Sequence, residues 1–209
     1  IGAVLKRFPE LKLEDALSAG PVESKRWLIS ELEKLDLNLG TVYVLGERWG
    51  LLPAMMFESR LRFDRVRSFD FDESCAPVAD TLNRAYVMDN WKFKASTADL
   101  MRLDYYASFY NTLRADGSVI ELHDKPSTII NTSCEHLSDF PAWWERVPEE
   151  KLLVLQYNCS SGGRGQVNGV ESLEDFQRQA PLSEVLFEGE LAQPGYRRFL
   201  RIGRRAEID

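Results

Sequence analysis

The chain has 209 residues, which a typical domain length of about 150 residues makes roughly one domain with additions. Hydrophobic residues are 44 % and charged residues 28 %, and 26 basic against 33 acidic side chains leave a net charge of −7. That balance excludes disorder and collagen, and no apolar run approaches the roughly 18 residues a membrane span requires. The acidic sum argues against nucleic acid as a partner. Three cysteines at long spacings (Cys75, Cys134, Cys159) argue against a disulfide framework, and with no charged-then-apolar leader at the start a reducing cytoplasm is expected.

In chain order, residues 13–19 and 22–35 read as helices. In the second, Trp27, Leu28, Leu32 and Leu35 recur at helical spacing. Residues 41–45 (TVYVL) are a β-branched apolar run that suits a buried parallel strand. A helix over 51–59 follows, then a strand over 65–69 and a helix over 74–83. A strand over 91–95 precedes a helix over 99–106. Residues 127–131 (STIIN) form the next strand and 141–147 a short helix. Residues 152–156 form another strand, after which the amides of Gln156-Tyr157-Asn158 can orient a substrate or be plain loop polarity, and 158–169 are a Gly/Ser-rich loop on the active face. A helix over 173–180 opens at a Ser172 cap. Strands over 184–191 and 196–202, joined by Ala192-Gln193-Pro194-Gly195, close the chain as an antiparallel hairpin. Alternating strands and helices predict an α/β fold, Rossmann-like and doubly wound. Its sheet is mostly parallel and ends in a C-terminal antiparallel hairpin. The expected organisation is a single domain over 1–209, with a helical cap over 1–40 on an α/β core over 41–209.

In such a sheet ligands bind beyond the carboxyl ends of the strands, where the strand order reverses. Gly46-Glu47-Arg48-Trp49-Gly50 gives a glycine turn before a helix N-terminus. It is neither the G-x-G-x-x-G fingerprint nor a phosphate loop. Asp70, with Phe71 and Asp72 after it, lies about twenty residues beyond Gly50. That is where nucleoside-binding units place the acid that holds ribose hydroxyls; Asp72 also suits a helix cap. Thr97, Ala98 and Asp99 end the third strand, where they can meet an adenine edge or cap a helix. Asn131 through His136 (NTSCEH) place an amide, two hydroxyls, a thiol, a carboxylate and an imidazole on one strand end. Glu135 or His136 can serve as general base there. A Cys134/His136/Cys159 metal site lacks any recognised ligand spacing, so no metal is expected. A Cys–His nucleophile pair is similarly unsupported.

Taken together these residues resemble the class I S-adenosylmethionine-dependent methyltransferases over roughly 41–203. The chain is also similar to poorly characterised bacterial and phage members with Asn-Thr-Ser-Cys-Glu-His and Leu-Gln-x-Asn stretches. The resemblance implies S-adenosyl-L-methionine as cofactor and in-line methyl transfer to an N, O or S nucleophile of a small molecule. It assigns Gly46, Glu47, Trp49 and Gly50 to the methionine part of the cofactor and Asp70 to the ribose. Phe71, Asp72, Thr97, Ala98 and Asp99 fall beside the adenine. Asn131, Glu135 and His136 fall at the reacting atoms. The loop departs from the family's acid-then-three-glycines pattern, and the bulky Trp49 can offer its ring face to a sulfonium or simply pack. Ser24, Lys25 and Trp27 can fold over the site as a lid, or Trp27 can be core and Lys25 a solvated charge. Two other readings share Asp70: a nicotinamide-dependent oxidoreductase, and a non-catalytic nucleoside-binding or interaction protein.

Overall fold

Seven strands hydrogen-bond into one sheet, and why they do so is legible in the apolar, β-branched runs of its centre. A computed structural model describes residues 1–12, 16–114, 116–159 and 167–205. The strands are β1 (Thr41–Leu45), β2 (Arg65–Asp70), β3 (Phe93–Thr97), β6 (Thr128–Asn131), β7 (Leu152–Cys159), β8 (Leu182–Gln193) and β9 (Tyr196–Arg205). Their order is β3-β2-β1-β6-β7-β9-β8. The first five in that order are mutually parallel, β9 is antiparallel to β7, and β8 is antiparallel to β9. The direction of strand progression reverses between β1 and β6, where Leu45 is in register with Asn131.

Strands buried on both faces read as continuous apolar runs, and β1 does so: Val42, Tyr43, Val44 and Leu45 are all inaccessible. The helices on one face are α2 (Ala19–Leu35), α3 (Leu51–Phe57), α4 (Cys75–Leu82) and α5 (Arg84–Met88). Leu28, Ile29, Leu32, Leu52, Met56 and Ala79 pack there on Val42, Val44, Val66, Ile130 and Val154. Over the other face lie α6 (Phe140–Arg146) and α7 (Leu173–Gln179), whose Phe140, Trp143, Trp144 and Phe176 meet Tyr43, Ile129, Leu153, Leu155 and Phe199. A short α1 (Gly2–Arg7) rests on α4 through Val4 and Val78. Among the described residues no helix is long and apolar enough to cross a membrane.

Several expectations are corrected. Residues 99–106 are a turn, not a helix. Asp99 accepts the Met101 amide (2.9 Å) and Asp104 the Tyr106 amide (2.8 Å), bonds that compete with helical ones. The third strand starts at Phe93 rather than 91, because Asn90 and Trp91 have positive φ (47° and 53°) and form a turn. The 13–19 helix falls partly outside the described residues (13–15), and 16–18 are turn and bend ahead of α2. Much of the expected 158–169 loop (160–166) also lies outside them, and β7 runs on to Cys159.

An unanticipated antiparallel ribbon, β4 (Ser108–Leu113) with β5 (Val119–Asp124), sits between β3 and β6 in sequence. Asp124 fastens it to the sheet. Its Oδ2 accepts from Arg67 Nε (2.7 Å) and from the Tyr110 hydroxyl (2.6 Å), and its carbonyl accepts from the Tyr43 hydroxyl (3.1 Å). Arg67 is 2 % exposed, so this charge is buried with its partner in place.

Candidate functional site

In a sheet of this order the crevice for a ligand lies beyond the strand ends at the β1–β6 reversal, and the loop beyond β1 forms one wall of it. Three of its residues take positive φ at alternating positions: Gly46 (63°), Arg48 (55°) and Gly50 (75°). Two are glycines, for which this conformation costs little; Arg48 holds it as a non-glycine. The bend at Gly46 is fixed by its N–H to the Phe69 carbonyl (2.9 Å) and by the Ser133 hydroxyl donating to its carbonyl (3.0 Å). At Gly50 a Cβ would meet Asn83 Nδ2 and Ala79, so this glycine also lets the start of α3 lie against α4.

Asp70 ends β2 and is buried. Its Oδ2 accepts the Arg48 amide and its Oδ1 the Asp72 amide, both at 3.1 Å. The acid therefore holds the two neighbouring loops in place, and each oxygen keeps a second lone pair. Phe71 beside it is 78 % exposed. Asp72 accepts the Ser74 amide (2.9 Å) in the turn before α4, and the Ser74 hydroxyl and amide hold its carboxyl below the usual range. Thr97 and Asp99 lie exposed at the end of β3. The Ala98 amide donates to the Asp70 carbonyl (2.9 Å), which keeps this segment beside Asp70.

Two loop side chains turn away from the cleft. The Trp49 ring packs with Val4, Leu17, Val78 and Leu82, and the Arg48 guanidinium lies 4.8 Å from its centroid. The cation on that ring is thus the chain's own arginine, and Trp49 serves packing under α1. Glu47 is buried, accepts the Leu52 amide (3.0 Å) and pairs with Lys25 Nζ (3.3 Å), while its Oε2 has no partner. Burial pushes its carboxyl up, and Lys25 opposes that.

Lys25 is accordingly no solvated charge. Together with Ser24, whose hydroxyl donates to Gln156 Oε1 (3.3 Å), it binds the start of α2 down onto the strand ends. Gln156 Nε2 returns a bond to the Ser24 carbonyl (3.3 Å), and Trp27 packs edge-on against Phe187.

Across the cleft, Asn131 ends β6 at 1 % exposure. Its Oδ1 accepts the Ser133 amide (2.9 Å), and its Nδ2 is buried with no partner. Residues Cys134–His136 form one turn of 3-10 helix. The turn sends Glu135 inward (2 % exposed) and leaves His136 at the surface, with 3.8 Å between His136 Nε2 and Glu135 Oε1. Burial raises the Glu135 carboxyl, and the Arg198 guanidinium opposes the shift. Glu135 Oε2 has no partner. Burial also pushes the Cys134 thiol well up, which removes it as a nucleophile. Among the described residues no three His, Cys, Asp or Glu side chains are grouped to hold a metal.

Sequence reasoning reaches Asn158, one of the amides at the end of its strand, but misses Arg198, which the β7–β9 register places opposite it near this cluster. Nothing in either strand's own sequence pairs β9 with β7, and only that pairing sets the two side by side.

No protein-family model matches the chain, and a search of curated protein sequences finds no match either. Solved structures do match. The geranyl diphosphate C-methyltransferase from Streptomyces coelicolor A3(2), in complex with Mg2+, geranyl diphosphate and S-adenosyl-L-homocysteine, aligns with a TM-score of 0.58 at 12 % identity, over 89 % of this chain and 79 % of that one. Magnesium protoporphyrin IX methyltransferase from Synechocystis PCC 6803, with S-adenosylhomocysteine bound, gives 0.57 at 15 % identity over 89 % and 85 %. The N-methyltransferase NodS from Bradyrhizobium japonicum WM9 gives 0.56 at 14 % identity over 91 % and 100 %. The likeness is one of fold: this chain is built on the mostly parallel, hairpin-closed Rossmann-like sheet of class I S-adenosylmethionine-dependent methyltransferases.

Proposed function

We propose that this chain is an S-adenosyl-L-methionine-dependent methyltransferase that methylates an N, O or S nucleophile of a small molecule. The observation that carries the reading is the β1–β6 reversal, where the buried Asn131 Nδ2 stands without a partner opposite the glycine loop and Asp70. The residues present fit a nucleoside cofactor. Asp70 keeps lone pairs for ribose hydroxyls, Phe71 presents an open ring face for a base, and Asn131 supplies a spare donor. Gly46 and Gly50 let the backbone come close, while Thr97, Ala98, Asp72 and Asp99 border the base. Glu47 shapes the loop through Leu52 and Lys25 rather than presenting a free carboxylate. In this reading residues 1–209 act as one domain, with 1–40 capping the 41–209 core.

The bound cofactor supplies an electrophilic methyl on a sulfonium. The chain's own part is positioning and exclusion of water at the strand ends. The α2 clamp through Lys25 and Ser24 closes the cleft on one side. Of the two candidate bases, Glu135 is the better placed to take the nucleophile's proton. It is buried, its carboxyl is raised toward working pH, and Oε2 has a free lone pair.

A thermal-shift titration tests the cofactor. S-adenosylhomocysteine at about 100-fold its Kd adds about 2.7 kcal/mol, or roughly 5–10 °C in Tm. Asp70→Ala should abolish the shift. Stabilisation by NADH alone would instead favour an oxidoreductase on the same fold.

A further inference from the structure

A cluster of unmatched polar atoms lies beyond β6, β7 and β9, on the opposite side of the reversal from Asp70. Glu135 Oε2, Asn158 Oδ1 and Arg198 Nε are each buried with no hydrogen-bond partner. They belong together. Asn158 and Arg198 are cross-strand partners, and Arg198 Nη1 donates to the Thr132 carbonyl (3.2 Å), three residues before Glu135. Gln156, which lies on the same strand face as Asn158, is bonded to Ser24 of α2, so the cluster sits beneath the start of that helix. The Arg198 guanidinium acts on the Glu135 carboxyl electrostatically, yet no direct ion pair joins them.

Buried polar atoms in native structures are nearly always satisfied, by protein or by ordered water, so three such atoms together offer an outside polar group a ready set of bonds. The set combines a carboxylate and an amide oxygen that both accept with a neighbouring guanidinium N–H that donates. An alcohol has a single proton to donate and leaves one of the two acceptors unmatched. A phosphate or a lone carboxylate meets repulsion from Glu135. A simple amine leaves Arg198 unmatched. A zwitterion with an ammonium next to a carboxylate satisfies all three and balances the two charges.

We propose that the methyl acceptor is an amino acid or a similar small amine with a carboxylate close by, its ammonium held by Glu135 Oε2 and Asn158 Oδ1 and its carboxylate by Arg198 Nε. This rests on the methyltransferase reading above. Glu135 takes one ammonium proton. The freed nitrogen lone pair then forms the N–C bond to the methyl carbon as the methyl C–S bond breaks, and that electron pair stays on sulfur, which becomes a neutral thioether. The product leaves as a methylated ammonium, and the protonated Glu135 returns its proton to water.

The test is a thermal-shift and mass-spectrometric screen of the full chain with saturating S-adenosylhomocysteine or S-adenosylmethionine. The probes are the common amino acids, with each hit's decarboxylated amine and its deaminated acid as controls. At least one amino acid should stabilise the S-adenosylhomocysteine complex and gain a methyl on nitrogen when S-adenosylmethionine is supplied, and both controls should fail. Arg198→Met should weaken binding of that amino acid by at least about 30-fold while leaving the affinity for S-adenosylhomocysteine unchanged, with Arg198→Lys recovering part of the loss. The inference is overturned if S-adenosylhomocysteine binds but no amino acid does, or if the controls bind as well as the zwitterion. Absence of any S-adenosylhomocysteine shift would overturn the methyltransferase reading itself.

Discussion

Lys25→Met should destabilise the chain far more than Glu47→Gln, although the two residues form one ion pair. The pair is asymmetric. Lys25 keeps 16 % of its side chain in solvent and Glu47 only 2 %. At 3.3 Å, with an effective dielectric of about 20, the attraction is about 5 kcal/mol before desolvation. Removing the lysine strands a buried carboxylate whose remaining partner is the Leu52 amide, with Oε2 already bare. Breaking a buried pair costs about 3–5 kcal/mol, and the partial exposure of Lys25 points to the lower end, about 3 kcal/mol. For a chain of this size that is a fall of roughly 6–12 °C in Tm. Removing the glutamate's charge instead leaves a lysine that can turn to water, so Glu47→Gln should cost under about 1 kcal/mol, and the double variant should recover most of the Lys25→Met loss. The pH dependence has a definite sign. Burial raises the folded-state Glu47 carboxyl above its ordinary value. Its stabilising contribution is therefore complete below the unfolded value and is lost as pH rises through the raised one. Lys25→Met pushes that value further up, so its deficit should shrink on acidification. Urea melts of the four proteins at two pH values read all of this. Equal losses from the two single variants, or additive losses in the double, would refute the argument.

Gly50→Ala places a Cβ on Asn83 Nδ2 and Ala79 at a φ of 75° and should cost about 2–3 kcal/mol, read as a shift in the urea midpoint. Tyr105→Phe leaves the buried Trp143 indole N–H without its 2.9 Å acceptor and should cost about 1–3 kcal/mol without altering S-adenosylhomocysteine affinity. Because the Glu135 carboxyl is raised by burial, methyl transfer should climb with pH through a value above the ordinary carboxylate range. Glu135→Gln should lose that limb of the profile together with about 10²–10⁴-fold in rate, while His136→Gln keeps it.

What the sequence disclosed about the fold follows from how strongly each segment was patterned. β1 and the first half of β7 are short apolar runs buried on both faces, β6 holds the Ile129-Ile130 pair, and the Pro194-Gly195 turn marks the closing hairpin. The β4–β5 ribbon was hidden because its outward face carries Phe109, Leu113 and Val119, which blur the apolar-in, polar-out alternation. The tandem aromatics split differently from one another. Tyr105 is buried and Tyr106 exposed, as adjacent positions suggest, but Trp143 and Trp144 are both buried, because Arg205 covers the second ring from β9. In the site, residues directly after strands could be named in advance. The meeting of Asn158 with Arg198 could not, because it depends on a register of antiparallel strands that single-strand patterns do not encode. Lys25 lay beyond reach for the same reason: whether a helical lysine is solvated depends on which buried acid the fold sets beneath it.

The fastening of α2 has a consequence for how the protein is made. Its first turns bond to Gln156, 132 residues later, and Glu23 accepts from Gln193, 170 residues later. Helices form in about a microsecond, but contacts this distant in sequence cannot form until both partners exist. At a synthesis rate of roughly 5–20 residues per second, the start of α2 waits roughly 7–26 s for Gln156, held meanwhile only by the contacts of Leu28, Ile29 and Leu32 with nearer segments such as β1. The cleft is therefore among the last features to assemble, and the waiting helix is the stretch of the nascent chain most in need of a chaperone's cover.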